Sequence, residues 1–145
     1  VGVNIGAKQF VRARKIAWTG AAISFLMVGI IGFTVTVFPE IWLNNFNANF
    51  LTKQFGILYL SIVAPFYCLF GAGQALYFAS QGTGKIALPV SVGVLRFATV
   101  SIAAYLALHF SLTIDIIFYA VSVGLTITGV GLALCLFGPD WKSSN

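Results

Sequence analysis

Three polar side chains inside an apolar run, Tyr67, Gln74 and Gln81, are spaced by seven residues. On a helix that spacing puts them on nearly one face. Such a face serves either as a polar strip along an aqueous cavity or as a set of interhelical hydrogen bonds, worth about 0.6 kcal/mol each in a membrane. Arg96 is the only charge well inside an apolar stretch. An ionisable group at that depth is costly, so it faces protein or water, pairs structurally, or snorkels towards the nearer surface. Tyr119, Ser122 and Thr126 form a weaker strip in the last apolar run, where interhelical hydrogen bonding is the plainer reading.

Other constellations fall away on inspection. Gln81-Gly82-Thr83-Gly84-Lys85 resembles a phosphate-binding loop, but that motif needs Gly six residues before the Lys and Ser or Thr after it. Ala79 and Ile86 stand there, so a tight interhelical turn is expected. Cys68 and Cys135 lie in apolar runs with no CxxC and no nearby His, which points to small buried hydrophobes and no metal site. Glu40, Asp115, Asp140 and His109 all fall at the ends of apolar runs. No carboxylate is placed at mid-membrane to bind Na⁺ or shuttle a proton, and no nucleophile–base pair occurs. The expectation is a protein that is not an enzyme and holds no cofactor.

The elements that must position these residues follow from composition. Fifty-nine per cent apolar residues, 8% charged residues and a mean hydropathy of +0.98 leave too little charge to cover a water-soluble domain. The chain reads as an all-α integral membrane protein, a single membrane domain over residues 1–145 with spans at about 16–38, 51–80, 86–110 and 115–137. Pro39 stops the first span, and residues 44–49 form a polar loop. The second span has no charge between Lys53 and Lys85, thirty-one residues. At the helical rise that is roughly 46 Å, more than the ~30 Å of a bilayer core. It should bend near Pro65, which frees the Ser61 carbonyl, with Gly71 and Gly73 deepening the irregularity and Gly82 and Gly84 making the closing turn. Breaks of this kind persist in lipid only where neighbouring helices or a watery cavity meet the freed backbone. Gly71, Ala75 and Ala79, like Ala120, Gly124 and Thr128, form small-residue stripes for close helix contact. Pro89 sits in the first turn of the third span, where proline is tolerated.

The net charge of +5 has a topological meaning. Lys8, Arg12, Arg14 and Lys15 cluster before the first span, with Lys8 and Arg12 four apart and Arg12 and Lys15 three apart, so they share a face on a helix. That cluster, Lys85 and Lys142 fall on one side, while Glu40, Lys53, His109 and Asp115 fall on the other. Both termini are therefore expected to be cytoplasmic, in the cell (inner) membrane, with membrane lipid as a partner. Trp18, Trp42 and Trp141 stand where interfacial aromatics belong. No basic stretch interleaves with exposed aromatics, so no nucleic-acid partner is expected.

The order of motifs then becomes specific. Val1-Gly2-Val3-Asn4-Ile5-Gly6-Ala7 followed by Arg12-Ala13-Arg14-Lys15, then Phe38-Pro39-Glu40, then Ser80-Gln81-Gly82-Thr83-Gly84-Lys85 with Leu88-Pro89, resembles the succession in multidrug and toxic-compound extrusion (MATE) transporters. The resemblance covers essentially the whole chain. It implies the last four helices of a twelve-helix, two-lobe antiporter fold that exports cationic or amphipathic small organic compounds in exchange for Na⁺ or H⁺. The chain opens in mid-pattern at Val1, so a fragment is expected, with the missing N-terminal part of the same transporter as its partner. Two positions depart from the family pattern: Val3 stands where it has Gln, and Phe70, eleven residues before Gln81, stands where Na⁺-coupled members carry an acid. The coupling ion is therefore expected to bind outside this fragment. On this reading Tyr67, Gln74 and Arg96 are the candidate wall residues of a substrate cavity, and Pro65, Gly71, Gly73, Gly82 and Gly84 the hinge and turn positions. The alternatives are a lipid-linked oligosaccharide flippase of the same superfamily, whose cavity would need more cationic charge, and a self-contained four-helix structural or oligomeric membrane protein.

Overall fold

The computed structural model describes residues 1–46, 49–84, 86–138 and 141. Its elements are α1 (Gly2–Gly6), α2 (Phe10–Val37), α3 (Pro39–Leu43), α4 (Phe50–Val63), a 3₁₀ turn (Ala64–Phe66), α5 (Tyr67–Gln81), α6 (Ala87–His109) and α7 (Ile114–Cys135). Among the described residues there is no strand. Four units are long and apolar enough to cross a membrane: α2, the α4–α5 unit Phe50–Gln81, α6 and α7.

Their bounds differ from the apolar runs in instructive ways. The first spanning helix, α2, begins at Phe10, and its opening turns carry Arg12, Arg14 and Lys15. Backbone hydrogen bonding does not stop where hydrocarbon stops, so the helix runs on into the polar layer. Lys8 is left outside it. With φ 57° it sits in a left-handed turn in which the Gln9 N–H reaches the Asn4 carbonyl (2.8 Å) and the Lys8 N–H the Ile5 carbonyl (2.9 Å). This is a Schellman ending for α1. The expected shared face is thus reduced to Arg12 and Lys15, because the turn separates Lys8 from their helix. Pro39 follows the end of α2 as expected, yet it also opens α3. A first helical position needs no N–H donor and suits the fixed φ of proline. Asn49 caps α4, its side chain accepting from the Thr52 N–H at 2.9 Å and the Thr52 hydroxyl at 2.7 Å.

The bend in the second span falls where Pro65 removes a donor, and it takes the form of the 3₁₀ turn. A 3₁₀ turn shifts hydrogen-bond partners from i−4 to i−3 and so leaves a carbonyl in want of a donor. The Ser122 hydroxyl of α7 reaches the Ile62 carbonyl at 3.1 Å, besides the Phe118 carbonyl of its own helix at 3.2 Å. A neighbouring helix thus meets the backbone beside the bend, at the Ile62 carbonyl next to Ser61. Gly71 and Gly73 do not add to the irregularity, since both lie within the regular α5. Their role is close approach. A Cβ on Gly71 would stand 2.8 Å from Val28 Cγ2 of α2, and one on Gly73 would stand 2.9 Å from the Thr128 carbonyl oxygen of α7.

The helices form a row, with α2 against α5, α5 against α7 and α7 against α6, while α4 rests on α7. One core cluster lies at the N-terminal end of α2 and joins Ala13, Ala17, Ala21, Leu76, Leu132, Leu136 and Trp141. A second, at the other end of α2, holds Val35, Leu60 and Ala64. Trp141, expected at the interface, is buried in the first of these clusters. Trp18 stays at the surface, 6.1 Å from the Phe137 ring, which also lies under the Arg14 guanidinium at 4.6 Å. Elsewhere large apolar side chains such as Ile102, Leu108 and Phe110 point outward, as the apolar solvent of a bilayer permits.

Candidate groove between α5 and α6

Because α5 and α6 each pack on α7 and hardly on each other, an open groove of about 700 Å³ runs between them. Gln74 and Tyr77 enter it from α5, and Val121, Thr128 and Leu132 from α7. The α6 side contributes Pro89, Val90, Gly93, Val94, Arg96, Phe97 and Val100. The lining is mostly apolar with a few converging polar groups, as in small-molecule sites. Thr128 contributes little free polarity, since its hydroxyl donates to the Gly124 carbonyl at 2.9 Å.

Arg96 is the group that sets the site's electrostatics. It stands nine residues after Ala87, roughly 14 Å along α6 from its start. Its stem passes over α7 at Gly124, where a Cβ would lie 3.2 Å from Arg96 Cγ. Its guanidinium carbon lies 4.8 Å from the centre of the Phe70 ring on α5. The side chain thus crosses from one wall of the groove to the other and does not run out to the surface. A cation over a phenyl face gains about 0.5–2 kcal/mol, more where water is excluded. Among the described residues no carboxylate pairs with the guanidinium, and a phenyl face is a weak acceptor for its five N–H donors. Phe70, read from the sequence as the place where an acid is lacking, is the structural partner of this cation.

Of the three candidate wall residues, the structure brings Gln74 and Arg96 to one groove and sets Tyr67 apart. Tyr67 packs beside Val35, Leu60 and Ala64, next to Gly32 of α2. Gln81 is exposed at the end of α5. Tyr77 belongs to the site and was missed; its place three residues after Gln74 on one helix was the available signal. Pro65 lies in the 3₁₀ turn. Gly82 and Gly84 lie in the turn after α5, Gly84 with φ +74°. There the N–H groups of Gly82, Thr83 and Gly84 reach back to the carbonyls of Ala79, Ser80 and Gln81 at 3.0–3.1 Å. Those donors are spent on the turn, which suits a connector and not a phosphate cradle. Glu40 lies in α3 and Asp115 in the first turn of α7. Lys85, Asp140 and Lys142, invoked for charge and orientation, lie outside the described residues.

A family model described as MatE matches residues 1–106 of the 145, from α1 through most of α6. No curated protein and no solved structure matches the chain.

Proposed function

The chain belongs to the MatE family, whose members are membrane transporters and not enzymes, and we propose that it forms one wall of the substrate path in a secondary active exporter. Small amphipathic organic compounds would leave the cell in exchange for Na⁺ or H⁺ by alternating access, the coupling ion being held by the remainder of the transporter. The observation that carries this reading is the groove in which Gln74, Tyr77 and Arg96 converge among apolar side chains.

Both walls of the groove are seated on α7. The α6 wall is seated on α7 at Gly124 and Gly131, where added Cβ atoms would meet Arg96, Val100 and Val92 at 2.9–3.2 Å. The α5 wall is joined to α4 through the 3₁₀ turn at Ala64–Phe66. Because Gly73 and Gly129 seat α5 on α7 as closely, α5, α6 and α7 would rock together, with the 3₁₀ turn between α4 and α5 as a hinge at an element boundary. In this reading the N-terminal end of α2, with Arg12, Arg14 and Lys15, faces the cytoplasm.

The test is efflux of a fluorescent amphipathic substrate from cells making the full-length protein. Gln74→Ala and Arg96→Ala are each expected to slow export by about fivefold or more at equal membrane abundance, the equivalent of about 1 kcal/mol of lost binding. Unchanged export in both variants would remove the groove from the path.

A further inference from the structure

We propose that the groove takes an amphipathic organic anion, its carboxylate, sulfonate or phosphate paired with Arg96 and its apolar body lying along Val94, Phe97 and Val100. The inference rests on the groove being a substrate wall and names the class of compound that wall accepts. An arginine is charged under all conditions a protein meets. Here its guanidinium is set against Phe70 at 4.8 Å, and among the described residues no carboxylate makes an ion pair with it. Glu40 lies in a different element, α3, and Asp115 in the first turn of α7, ahead of Val121, the first α7 residue in the groove. The side chain is also held in place. Gly124 receives its stem and Phe70 backs its head, so the donors are presented without being consumed. In surroundings of low dielectric, a fixed cation repels a cationic solute and attracts an anion far more strongly than in water. The remaining lining is apolar on the α6 side, with Gln74 and Tyr77 opposite it as neutral polar groups. Charge complementarity therefore selects an anionic head with an apolar tail over an organic cation.

The experiment compares two probes of one skeleton, pyrenebutyrate and its neutral amide, binding to the purified full-length protein in phosphatidylcholine nanodiscs. The acid is expected to bind at least about tenfold more tightly than the amide. Arg96→Gln should abolish that preference and Arg96→Lys should keep most of it. Equal affinity of the wild-type protein for acid and amide overturns the proposal, and this comparison needs no variant to fold. So does a preference for the acid that survives in Arg96→Gln. Adding phosphatidylglycerol to the nanodiscs separates a solute site from a lipid site: loss of acid binding there assigns the groove to anionic lipid and overturns the proposal, while retention supports it. Efflux distinguishes the two levels of the argument. Export of ethidium without binding of the acid leaves the transporter reading standing and removes the anion. Binding of the acid through Arg96, with neither compound exported, keeps the anion site and removes the export path.

Discussion

Where α5 meets α2, a glycine stands in place of a side chain; where α5 faces α6, a phenylalanine, a glutamine and an arginine stand between the helices. On the first side Gly71 lies against Val28 and the Ser24 carbonyl, close enough that any Cβ would collide. On the second, Phe70 and Arg96 meet ring to cation across a gap of about 700 Å³. Both sides belong to the same fifteen-residue helix. The lesson is that residue size decides which helix pairs seal and which stay apart. In lipid the apolar effect cannot make that choice, because lipid tails are as apolar as the side chains they would replace. Small residues let backbones touch and gain dispersion contact. Large or charged residues hold helices off and leave space that must hold something.

The sharpest way to break this contrast is a pair of glycine substitutions. Gly73→Ala puts a methyl 2.9 Å from the Thr128 carbonyl in a sealed seam, and is expected to cost about 2–3 kcal/mol. Gly93, in the groove wall, has nothing within 4 Å of an added Cβ. Gly93→Ala should be neutral or stabilise by up to about 1 kcal/mol through helix propensity. Thermal unfolding in detergent checks both, and equal effects would sink the distinction between seam and groove. Next in size, Phe70→Leu removes the ring under Arg96. A double-mutant cycle with Arg96→Met should give a coupling of about 1 kcal/mol, and zero coupling would mean the ring is only filler. Ser122→Ala strips the hydroxyl from the Ile62 carbonyl beside the bend. Its expected cost is about 0.6 kcal/mol, with faster amide exchange around residues 62–67 as the local signature. Smallest is Ser111→Gly after α6. Ser111 has φ 50°, and its neighbour Leu112 bonds back to the Ala107 carbonyl at 2.8 Å. Glycine relieves the left-handed strain but loses backbone entropy, so a gain of a few tenths of a kcal/mol is expected, well below the seam effects.

Four spans and a bend at Pro65 are legible from the residues because long apolar runs and a missing N–H each have one physical outcome in lipid. What escapes is direction. The depth of Arg96 can be counted along the chain, but nothing in its neighbours says that it reaches across to Phe70. Tyr67 and Gln74 share a helix face by spacing, yet crossing helices give one face different neighbours along its length. Near the bend that face meets α2 and α4, and two turns on it opens into the groove. Ser122 was visible as part of a polar strip, but its acceptor lies sixty residues earlier in the chain. Trp141 stands next to a lysine as an interfacial aromatic does, and its burial in the cluster with residues of α2, α5 and α7 shows only in the fold.

That burial gives the protein a built-in optical probe. Trp18 and Trp42 are 38% and 54% exposed, whereas Trp141 is 4% exposed and wedged where α2, α5 and α7 meet. Quenchers carried by lipid or water reach the first two and not the third. With Trp18, Trp42 and any tryptophan in the remainder of the transporter replaced by phenylalanine, the emission that remains comes from the junction alone. A red shift on adding a transported solute would then mark the moment when that junction loosens, seen from inside the row of helices.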